Sequence, residues 1–249
     1  MAELVRKLSV AAPAYNEAAG IELIVQHWAD YLRATPGIDT FEIIVCNDGS
    51  RDNTGAILDQ LAARNPELQP VHHTKNAGAA AAFATAIRKT TGDWILLIDS
   101  DGQFPIENLP RMLESLRPGV SAVVGVRTRK EDSTFMQAGS WLSGALCNWF
   151  HHTRYRDFNS VFKLVQGDLL RSLSLEVTGL NSSGEVTSKL LERGVQLGEA
   201  EIVHRRRESG VSTAKTFRAA AHRLLFVLYV GVRQFLFRMQ VLQRMPPSP

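Results

Sequence analysis

The stretch WILLIDSDGQ, residues 94–103, decides the fold of this chain. An unbroken apolar run, 94–98, is followed at once by Asp99, Ser100 and Asp101. An apolar run of this kind is typical of a strand that is buried on both faces of a parallel sheet. Because ligands of open α/β sheets bind beyond the carboxyl ends of the strands, the acidic residues at this end predict a functional site.

Strand and helix patterns alternate on both sides of this stretch. Short apolar runs that end at a proline or a polar turn predict strands, and apolar residues at helical spacing predict the helices between them. Repeated strand–helix units predict an α/β fold with a doubly wound, mostly parallel sheet flanked by helices. The expected strands are 8–12, 41–46, 68–72, 94–98 and 121–126, and the expected helices are 20–32, 53–64 and 79–89.

The second half of the chain is less regular. The pattern predicts helices at 141–151 and 185–193, an extended segment at 157–164, a strand at 195–203 and a long C-terminal helix at 217–243. No internal repeat or low-complexity linker divides the sequence, so we expect one domain with a C-terminal appendage.

Composition indicates an ordinary globular protein, with 45% hydrophobic and 21% charged residues. Two cysteines, Cys46 and Cys147, are too few for a disulfide framework, and we expect buried, reduced thiols. No segment has the pattern of a signal peptide or reaches the roughly 18 consecutive apolar residues of a membrane span. We therefore expect a cytoplasmic protein without a transmembrane span, with or without peripheral attachment to the cytoplasmic membrane face.

Charge is distributed unevenly along the chain. None of the 25 Asp and Glu residues lies beyond residue 208, whereas six of the 28 Lys and Arg residues do. This asymmetry predicts an anionic partner at the C-terminal end, and a basic amphipathic helix can lie in an anionic membrane surface. The alternative is that the apolar side packs on the domain or on a second subunit of a homo-oligomer. The apolar side comprises Phe217, Ala221, Leu224, Leu225, Leu228, Phe235, Met239 and Leu242, and the basic side comprises Arg218, His222, Arg233 and Arg244.

Motifs of several other enzyme classes are missing from the sequence. There is no G-x-G-x-x-G after the first strand and no G-x-x-x-x-G-K-[ST], which argues against dinucleotide-binding enzymes and P-loop NTPases. G-x-S-x-G, H-E-x-x-H and C-x-x-C are also absent, and the histidine pairs at 72–73 and 151–152 lack the companion ligands of a zinc site. We expect no nucleic-acid partner.

The acidic residues after the fourth strand have the spacing of a cation site. Asp99 and Asp101 lie two residues apart, so in an extended chain their carboxylates point to the same side, and Gln103 continues that alternation. Hard cations such as Mg²⁺ and Mn²⁺ take such oxygen ligands together with substrate phosphates. The alternative interpretation is a polar β-turn whose carboxylates face water.

Polar residues also follow the first two strands, at 13–17 and 47–50. Asp48 can hydrogen-bond a ribose or a base, or belong to an exposed turn that caps the next helix. Asn16 and Glu17 can belong to the same site or simply cap a helix. Each feature is weak alone, but three of them at successive strand ends favour a shared binding site.

Taken in order, these motifs resemble those of family 2 glycosyltransferases, and within that family the dolichol-phosphate mannose synthase-like group. The resemblance extends over residues 8–215, which makes it specific for the family and less specific for the acceptor. It is carried by PAYNE at 13–17, VCNDGS at 45–50, NAG at 76–78, DSDGQ at 99–103, DFNSVFKL at 157–164 and HRRRESGVS at 204–212.

The resemblance implies a GT-A catalytic domain over residues 1–215, with residues 216–249 as a basic amphipathic helix and tail. Asp99, Asp101 and Gln103 would hold Mg²⁺ or Mn²⁺ against the donor diphosphate. Arg127 and Arg207 would act on the phosphates, and with Asp101 they form the implied catalytic set. The donor-binding residues implied in the same way are Pro13, Tyr15, Asn16, Glu17, Asp48, Asn76, Ser100 and Ser212.

The implied reaction is inverting transfer of a hexose from GDP-mannose or a UDP-sugar to a polyprenyl or dolichyl phosphate. A lipid phosphate is already anionic and needs no general base, whereas a hydroxyl acceptor does. The alternatives are therefore a family 2 transferase that acts on a saccharide or small metabolite, and a non-catalytic nucleotide-sugar-binding protein. Glu185 is the candidate base for a hydroxyl acceptor, and a purely structural Glu185 is the other reading.

Overall fold

Seven strands form one sheet in the computed structural model of the chain, in the order β3-β2-β1-β4-β6-β5-β7. The structure describes residues 5–128, 134–176, 181–205, 217–239 and 242. The strands are β1 (Lys7–Ala14), β2 (Thr40–Asn47), β3 (Leu68–His72), β4 (Trp94–Leu97), β5 (Ala122–Arg127), β6 (Lys163–Gln166) and β7 (Leu197–Ile202). The helices are α1 (Ile21–Ala34), α2 (Thr54–Ala62), α3 (Ala79–Lys89), α4 (Leu109–Glu114), α5 (Thr134–His151), α6 (Gly167–Arg171), α7 (Ser182–Glu192) and α8 (Phe217–Arg238), with a 3₁₀ helix at Ile106–Asn108.

Strand β4, which begins the stretch 94–103, lies in the middle of the sheet. All four residues of β4 are buried, and β4 pairs with β1 in parallel. On its other side β4 pairs with β6, which is antiparallel to both β4 and β5. The prediction of a mostly parallel, centrally buried α/β sheet is confirmed, with β6 as the antiparallel exception.

Helices cover both faces of the sheet, as the doubly wound pattern predicts. One core layer joins the sheet to α1, α2 and α4 through residues such as Trp28, Leu58 and Met112. The other joins it to α3, α6 and α7 through residues such as Phe83 and Leu190. Both cysteines are buried and unbridged, as expected, and burial raises the pKa of each thiol to about 12.

The largest departure from the sequence prediction lies between α5 and β6. Residues 156–159 form a turn where extended chain was expected from 157, and the strand begins only at Lys163. The apolar run that follows Ser160 fixed the existence of a strand but not its start, because the chain first has to turn back from α5. Two short helices, α4 and α6, also escaped prediction because few residues give too weak a periodic signal.

Helix α8 packs on the domain through a side that carries both polar and apolar residues, among them Tyr229, Arg233 and the buried Phe226 and Val230. Arg233 donates two hydrogen bonds to Glu192, at 2.8 and 3.0 Å, and Tyr229 donates one to Glu176 at 3.0 Å. Gln234 is also buried on this side. The outward apolar side therefore does not pack on the described part of the chain. Its exposed members are Leu224, Leu225, Leu228, Val232, Phe235 and Met239.

Helix α5 runs beside α8 and exposes apolar side chains of its own. The two helices meet around Cys147, Phe226 and Val230, which form a small buried cluster. On the outside of α5, the side chains of Trp141 and Trp149 are 69% and 67% exposed. Among the described residues, no helix has both the length and the apolar character needed to span a bilayer.

Candidate active site

The polar ends of β1, β2 and β4 meet at one edge of the sheet, as the sequence analysis expected. The three strands are neighbours and run parallel, so their carboxyl ends lie side by side. Ser100 Oγ donates a 2.6 Å hydrogen bond to the carbonyl oxygen of Pro13, and the Asp48 amide donates one of 2.8 Å to that of Ala14. The three loops are thus joined by direct contacts.

Asp48 braces the start of α3. Its side chain is buried, and its two carboxylate oxygens accept 2.8 Å hydrogen bonds from the amides of Ala77 and Gly78. His73 Nδ1 lies 2.8 Å from Asp48 Oδ1, and Asn76 Nδ2 donates to the Asp48 carbonyl at 3.3 Å. The alternative of an exposed turn that caps the next helix is therefore wrong, since Asp48 is buried and binds the loop before α3.

Close packing at this point also explains Gly49. Its φ of +63° lies in the left-handed region, and a Cβ there would come within 2.5 Å of the Lys75 carbonyl carbon. Only glycine fits both requirements. The loop after β2 and the loop before α3 are therefore held against each other by backbone contact as well as by the Asp48 carboxylate.

The loop after β1 is fixed against the turn after β2. Asn16 has a φ of +55°, its amide donates to Ser50 Oγ, and its Oδ1 accepts from the Arg51 amide at 2.8 Å. The buried Glu17 donates its amide hydrogen to Thr54 Oγ1 at 2.9 Å. Asn16 and Glu17 do not provide a side-chain cap for α1, whose N-cap residue is Gly20. They instead join the loop after β1 to the turn after β2. We call these two segments, residues 15–17 and 48–54, the ledge; Tyr15 is half-buried on it.

The acidic residues after β4 lie in a tight turn rather than in extended chain. Gly102 has a φ of +76°, and the Gln103 amide donates to Asp101 Oδ1 at 3.1 Å. The expected strand-like alternation of Asp99, Asp101 and Gln103 is therefore wrong, because an Asp-Gly pair favours a turn in which the carboxylate binds an amide two residues on. Gln103 also exchanges backbone and side-chain hydrogen bonds with Arg205, at 2.8 and 3.3 Å.

The donor atoms at this turn fit a hard cation that is shared with a phosphate ligand. Asp99 and Asp101 are half-buried, and so is Gln103, which follows Asp101 in the same turn. Within the described ranges, no cluster of three or more His, Cys, Asp or Glu side chains could hold a metal ion. Such a set does not suit a protein-enclosed metal, but it suits Mg²⁺ or Mn²⁺, which bind through one or two carboxylates and substrate phosphates.

Arg127 at the end of β5 forms a bidentate ion pair with Asp157. Arg127 Nε and Nη2 donate to the two carboxylate oxygens at 2.7 and 3.0 Å, and the Arg127 amide lies 3.3 Å from Oδ2. Both side chains are nearly buried. Because a guanidinium and a carboxylate match in shape, this contact fixes the orientation of Arg127 at the sheet edge. Asp157 was quoted in a motif but was not among the predicted site residues.

Lys163 lies beside this ion pair and was not predicted as a site residue. It is fully buried, and its ammonium donates to the Ser160 carbonyl oxygen. Burial lowers the pKa of Lys163 to about 7, against the opposing influence of the carboxylates Asp157 and Asp99. A lysine inside the otherwise apolar run VFKLV was the one sequence signal that could have identified it.

Glu185 has the geometry of a structural residue. Its side chain is fully buried, and Oε1 accepts a 2.7 Å hydrogen bond from the Glu176 amide. The same oxygen lies 3.4 Å from Lys189 Nζ and 3.5 Å from the Tyr229 hydroxyl. These contacts favour the structural reading of Glu185 over that of a general base.

The structure gathers most, but not all, of the residues that the sequence analysis named. Asn76 and Ser100 join the cluster around Asp48 and Pro13, and Gln103 joins the acidic turn. Arg207 and Ser212 lie outside the described residues. Their expected contacts with phosphate stay predictions.

Comparison with protein families identifies one match that covers most of the chain. The family model described as "Glycosyl transferase family 2" matches residues 9–171. Among curated proteins, the chain is 34% identical over 122 residues to the bactoprenol glucosyl transferase of Shigella phage SfX, covering 49% of this chain and 39% of the relative. It is 30% identical over 140 residues to the undecaprenyl-phosphate 4-deoxy-4-formamido-L-arabinose transferase of Yersinia enterocolitica, covering 55% and 42%. The chain thus matches less than half of the length of each of these two relatives.

Structural superposition covers more of this chain than the sequence matches do. The glucosyl-3-phosphoglycerate synthase of Mycobacterium tuberculosis superposes with a TM-score of 0.71 at 19% identity, covering 93% of this chain and 82% of that one. The mannosyl-3-phosphoglycerate synthase of Rubrobacter xylanophilus superposes with a TM-score of 0.68 at 19% identity, covering 98% and 78%. These likenesses confirm the expected GT-A type of sheet with flanking helices and a C-terminal helix.

Proposed function

Because the chain belongs to glycosyl transferase family 2, we propose that it moves a hexose from a nucleotide-diphosphate sugar to a polyprenyl phosphate, with inversion at the anomeric carbon. The observation that carries this proposal is the junction of the loops after β1, β2 and β4, where Ser100 contacts Pro13 and the acidic turn begins. A nucleotide donor bound along this edge would have its diphosphate beside Asp99 and Asp101.

The proposed donor site combines the hydrogen-bonded ledge with the half-buried acidic turn at 99–103. Tyr15, Glu17 and Asp48 would contact the base and ribose, since they lie on the loops after β1 and β2, which hydrogen bonds hold against their neighbours. Asp99, Asp101 and Gln103 would hold Mg²⁺ or Mn²⁺. When bound, such an ion offsets the negative charge that develops on the departing nucleoside diphosphate.

Two observations support an anionic lipid acceptor over a hydroxyl acceptor. Glu185 is buried and engaged with Glu176 and Lys189, so it is poorly placed to remove a proton from an incoming hydroxyl. The matched relatives are also named for bactoprenol and undecaprenyl phosphate. Arg127, held by Asp157, and Arg207 are the proposed cations for the phosphates.

The exposed apolar faces of α5 and α8 support peripheral contact with the membrane that would contain such an acceptor. Side chains including Leu228, Phe235 and Met239 point away from the protein, which is unusual for a surface helix of a soluble domain. Trp141 and Trp149 add indole rings, which favour the boundary between lipid and water. A second copy of the chain is the other occupant that this face could take.

The proposed reaction can be tested with radiolabelled GDP-mannose, UDP-glucose and UDP-N-acetylglucosamine and a short-chain polyprenyl phosphate, in Mn²⁺ and in EDTA. We expect one donor to label the organic phase, and only in the presence of the metal. Undiminished transfer in EDTA would contradict the metal site. Label that appears only on a water-soluble saccharide or metabolite would replace the lipid acceptor with a hydroxyl acceptor.

A further inference from the structure

A cavity of about 180 Å³ lies between α5 and the chain segment 155–158. Trp141, Gly144 and Ala145 of α5 form one wall, and Asp157 and Phe158 form part of the other. No motif or comparison assigns a ligand to this space. It is smaller than the roughly 300 Å³ that encloses a whole drug-sized ligand, so it suits one part of a larger molecule.

The cavity adjoins the candidate active site. Asp157 on its wall is the residue that binds Arg127 at the end of β5. The segment that follows Asp157 continues along the same sheet edge, since the Gly125 amide donates to the Phe162 carbonyl at 2.8 Å and Lys163 pairs with Leu97 at the end of β4. A molecule in the cavity therefore lies beside the edge where the donor diphosphate is proposed to bind.

The chemistry of the walls favours an apolar group. The indole of Trp141, the ring of Phe158 and the small residues Gly144 and Ala145 offer mainly carbon surface. Four polar side chains on the walls already serve other contacts, and one of them is Tyr155, whose hydroxyl accepts a hydrogen bond from the Leu197 amide at 3.2 Å. Asp157 holds Arg127, the Arg156 guanidinium donates to Glu199 at 3.3 Å and to Glu201 at 2.8 Å, and Asn148 donates to the Tyr155 carbonyl at 2.8 Å. A small anionic metabolite would find its strongest partners elsewhere.

The cavity is also continuous with the exposed apolar surface. Trp141 borders the cavity and is 69% exposed, and it lies on the same helix as the exposed Leu142 and Trp149. Helix α8, with its outward stripe that includes Leu228, packs directly beside α5. An apolar chain that enters from this surface reaches the cavity along the indole of Trp141.

We infer that this cavity receives the isoprene units of the acceptor that lie next to its phosphate. The inference rests on the proposed function and specifies where its acceptor binds. With the first isoprene units beneath α5, the phosphate lies near the Arg127–Asp157 pair and the remaining chain leaves along Trp141 toward the lipid.

Filling the cavity tests this assignment. Ala145→Leu adds three carbons to its wall, and Ala138→Leu makes the same change two turns earlier on α5, at an exposed position away from the cavity. We expect Ala145→Leu to raise the KM for polyprenyl phosphate about tenfold or more, because burial of several methylene groups is lost. The Kd for the nucleotide sugar, measured by calorimetry, should not change in either variant.

A photoreactive polyprenyl phosphate with a diazirine on its first isoprene unit provides a second test on the unaltered protein. We expect crosslinks within residues 139–158. If the unaltered protein transfers sugar to polyprenyl phosphate, but Ala145→Leu has an unchanged KM and the crosslinks map elsewhere, the cavity assignment is wrong while the proposed function stands. If the unaltered protein transfers no sugar to any polyprenyl phosphate, the proposed function itself fails.

Discussion

Two regions of the protein differ in which side chains they expose: the loops after β1 and β2, and the outer faces of α5 and α8. In the loops, polar groups such as those of Asn16, Asp48 and Asp52 find partners inside the protein. On the two helices, large apolar side chains face outward, while Arg233 and Tyr229 point inward. Polar groups of the loops are thus hydrogen-bonded within the protein. The helix faces instead expose apolar surface, whose burial against lipid or protein would be favourable.

Under the proposed function, this contrast separates the recruitment of the nucleotide-sugar donor from that of the lipid acceptor. A preorganised polar edge binds a charged, soluble donor with little rearrangement, because its groups are already oriented. An exposed apolar face gains free energy only when a second apolar phase covers it. Substitutions confined to one region at a time separate the two contributions.

Asp101→Asn should lower the rate of sugar transfer about a hundredfold to a thousandfold, because it removes a charge from the proposed metal site. Asparagine keeps an oxygen that can accept the Gln103 amide hydrogen, so the turn and the thermal stability should be preserved. The measurement is kcat with saturating donor in Mn²⁺. Asp168→Asn, on the exposed face of α6, is the matched control and should retain full activity.

Asp48→Ala should reduce the free energy of unfolding by about 2–4 kcal/mol, because it leaves the amides of Ala77 and Gly78 without their buried acceptor. Urea denaturation measures this change, and Asp59→Ala on the exposed side of α2 should change stability by less than about 0.5 kcal/mol. A loss no larger than that of Asp59→Ala would mean that the polar edge is not preorganised by its internal hydrogen bonds.

The residues of the polar edge, which comprises the loops after β1, β2 and β4, were largely predictable from the sequence. The hydrogen bonds and ion pairs that hold them in place were not. The alternation of strands and helices and the position of Asp99 and Asp101 follow from local patterns. The contacts of Asp48 with Gly78 and of Arg127 with Asp157 join residues about 30 positions apart, and no local periodicity encodes them. The turn at 99–103 was also misjudged, because the Asp-Gly preference outweighed the extended geometry of the preceding strand.

The outer surface of α8 shows the complementary limit. A helical wheel separated its apolar side from its basic side, but it could not tell which side faces the protein. That choice depends on Glu176 and Glu192, which lie on the segment before α7 and at its end and bind Tyr229 and Arg233. The orientation of α8 is therefore a property of the tertiary structure, and only the tertiary structure reveals that its outward apolar side is exposed.

Replacing both Leu228 and Phe235 with Glu should weaken binding to vesicles that contain anionic lipids about a hundredfold, because two buried apolar side chains are lost from the lipid contact. Stability should change little, since both positions are exposed. Leu23→Glu alters an apolar residue on α1 that is more exposed than either of these two and should not affect vesicle binding. If the double variant instead converts a dimer to a monomer in sedimentation and vesicle binding is unchanged, the face belongs to a second copy.

The smallest effect concerns Lys163, which tests how tightly the polar edge is closed. Burial lowers its pKa from 10.5 to about 7, so between these values the unfolded chain holds a proton that the folded chain has released. Stability should therefore rise with pH across this window, and the associated penalty should be fully present below pH 7. Relative to Lys163→Met, we expect the unaltered protein to gain up to about 1 kcal/mol per pH unit between pH 7.5 and 9.5, measured by urea denaturation. Lys89→Met, at an exposed position on α3, should leave the slope of the unaltered protein unchanged. Equal slopes in Lys163→Met and the unaltered protein would show that water reaches this lysine, and the ion pair of Arg127 and Asp157 would then be more open than the structure indicates.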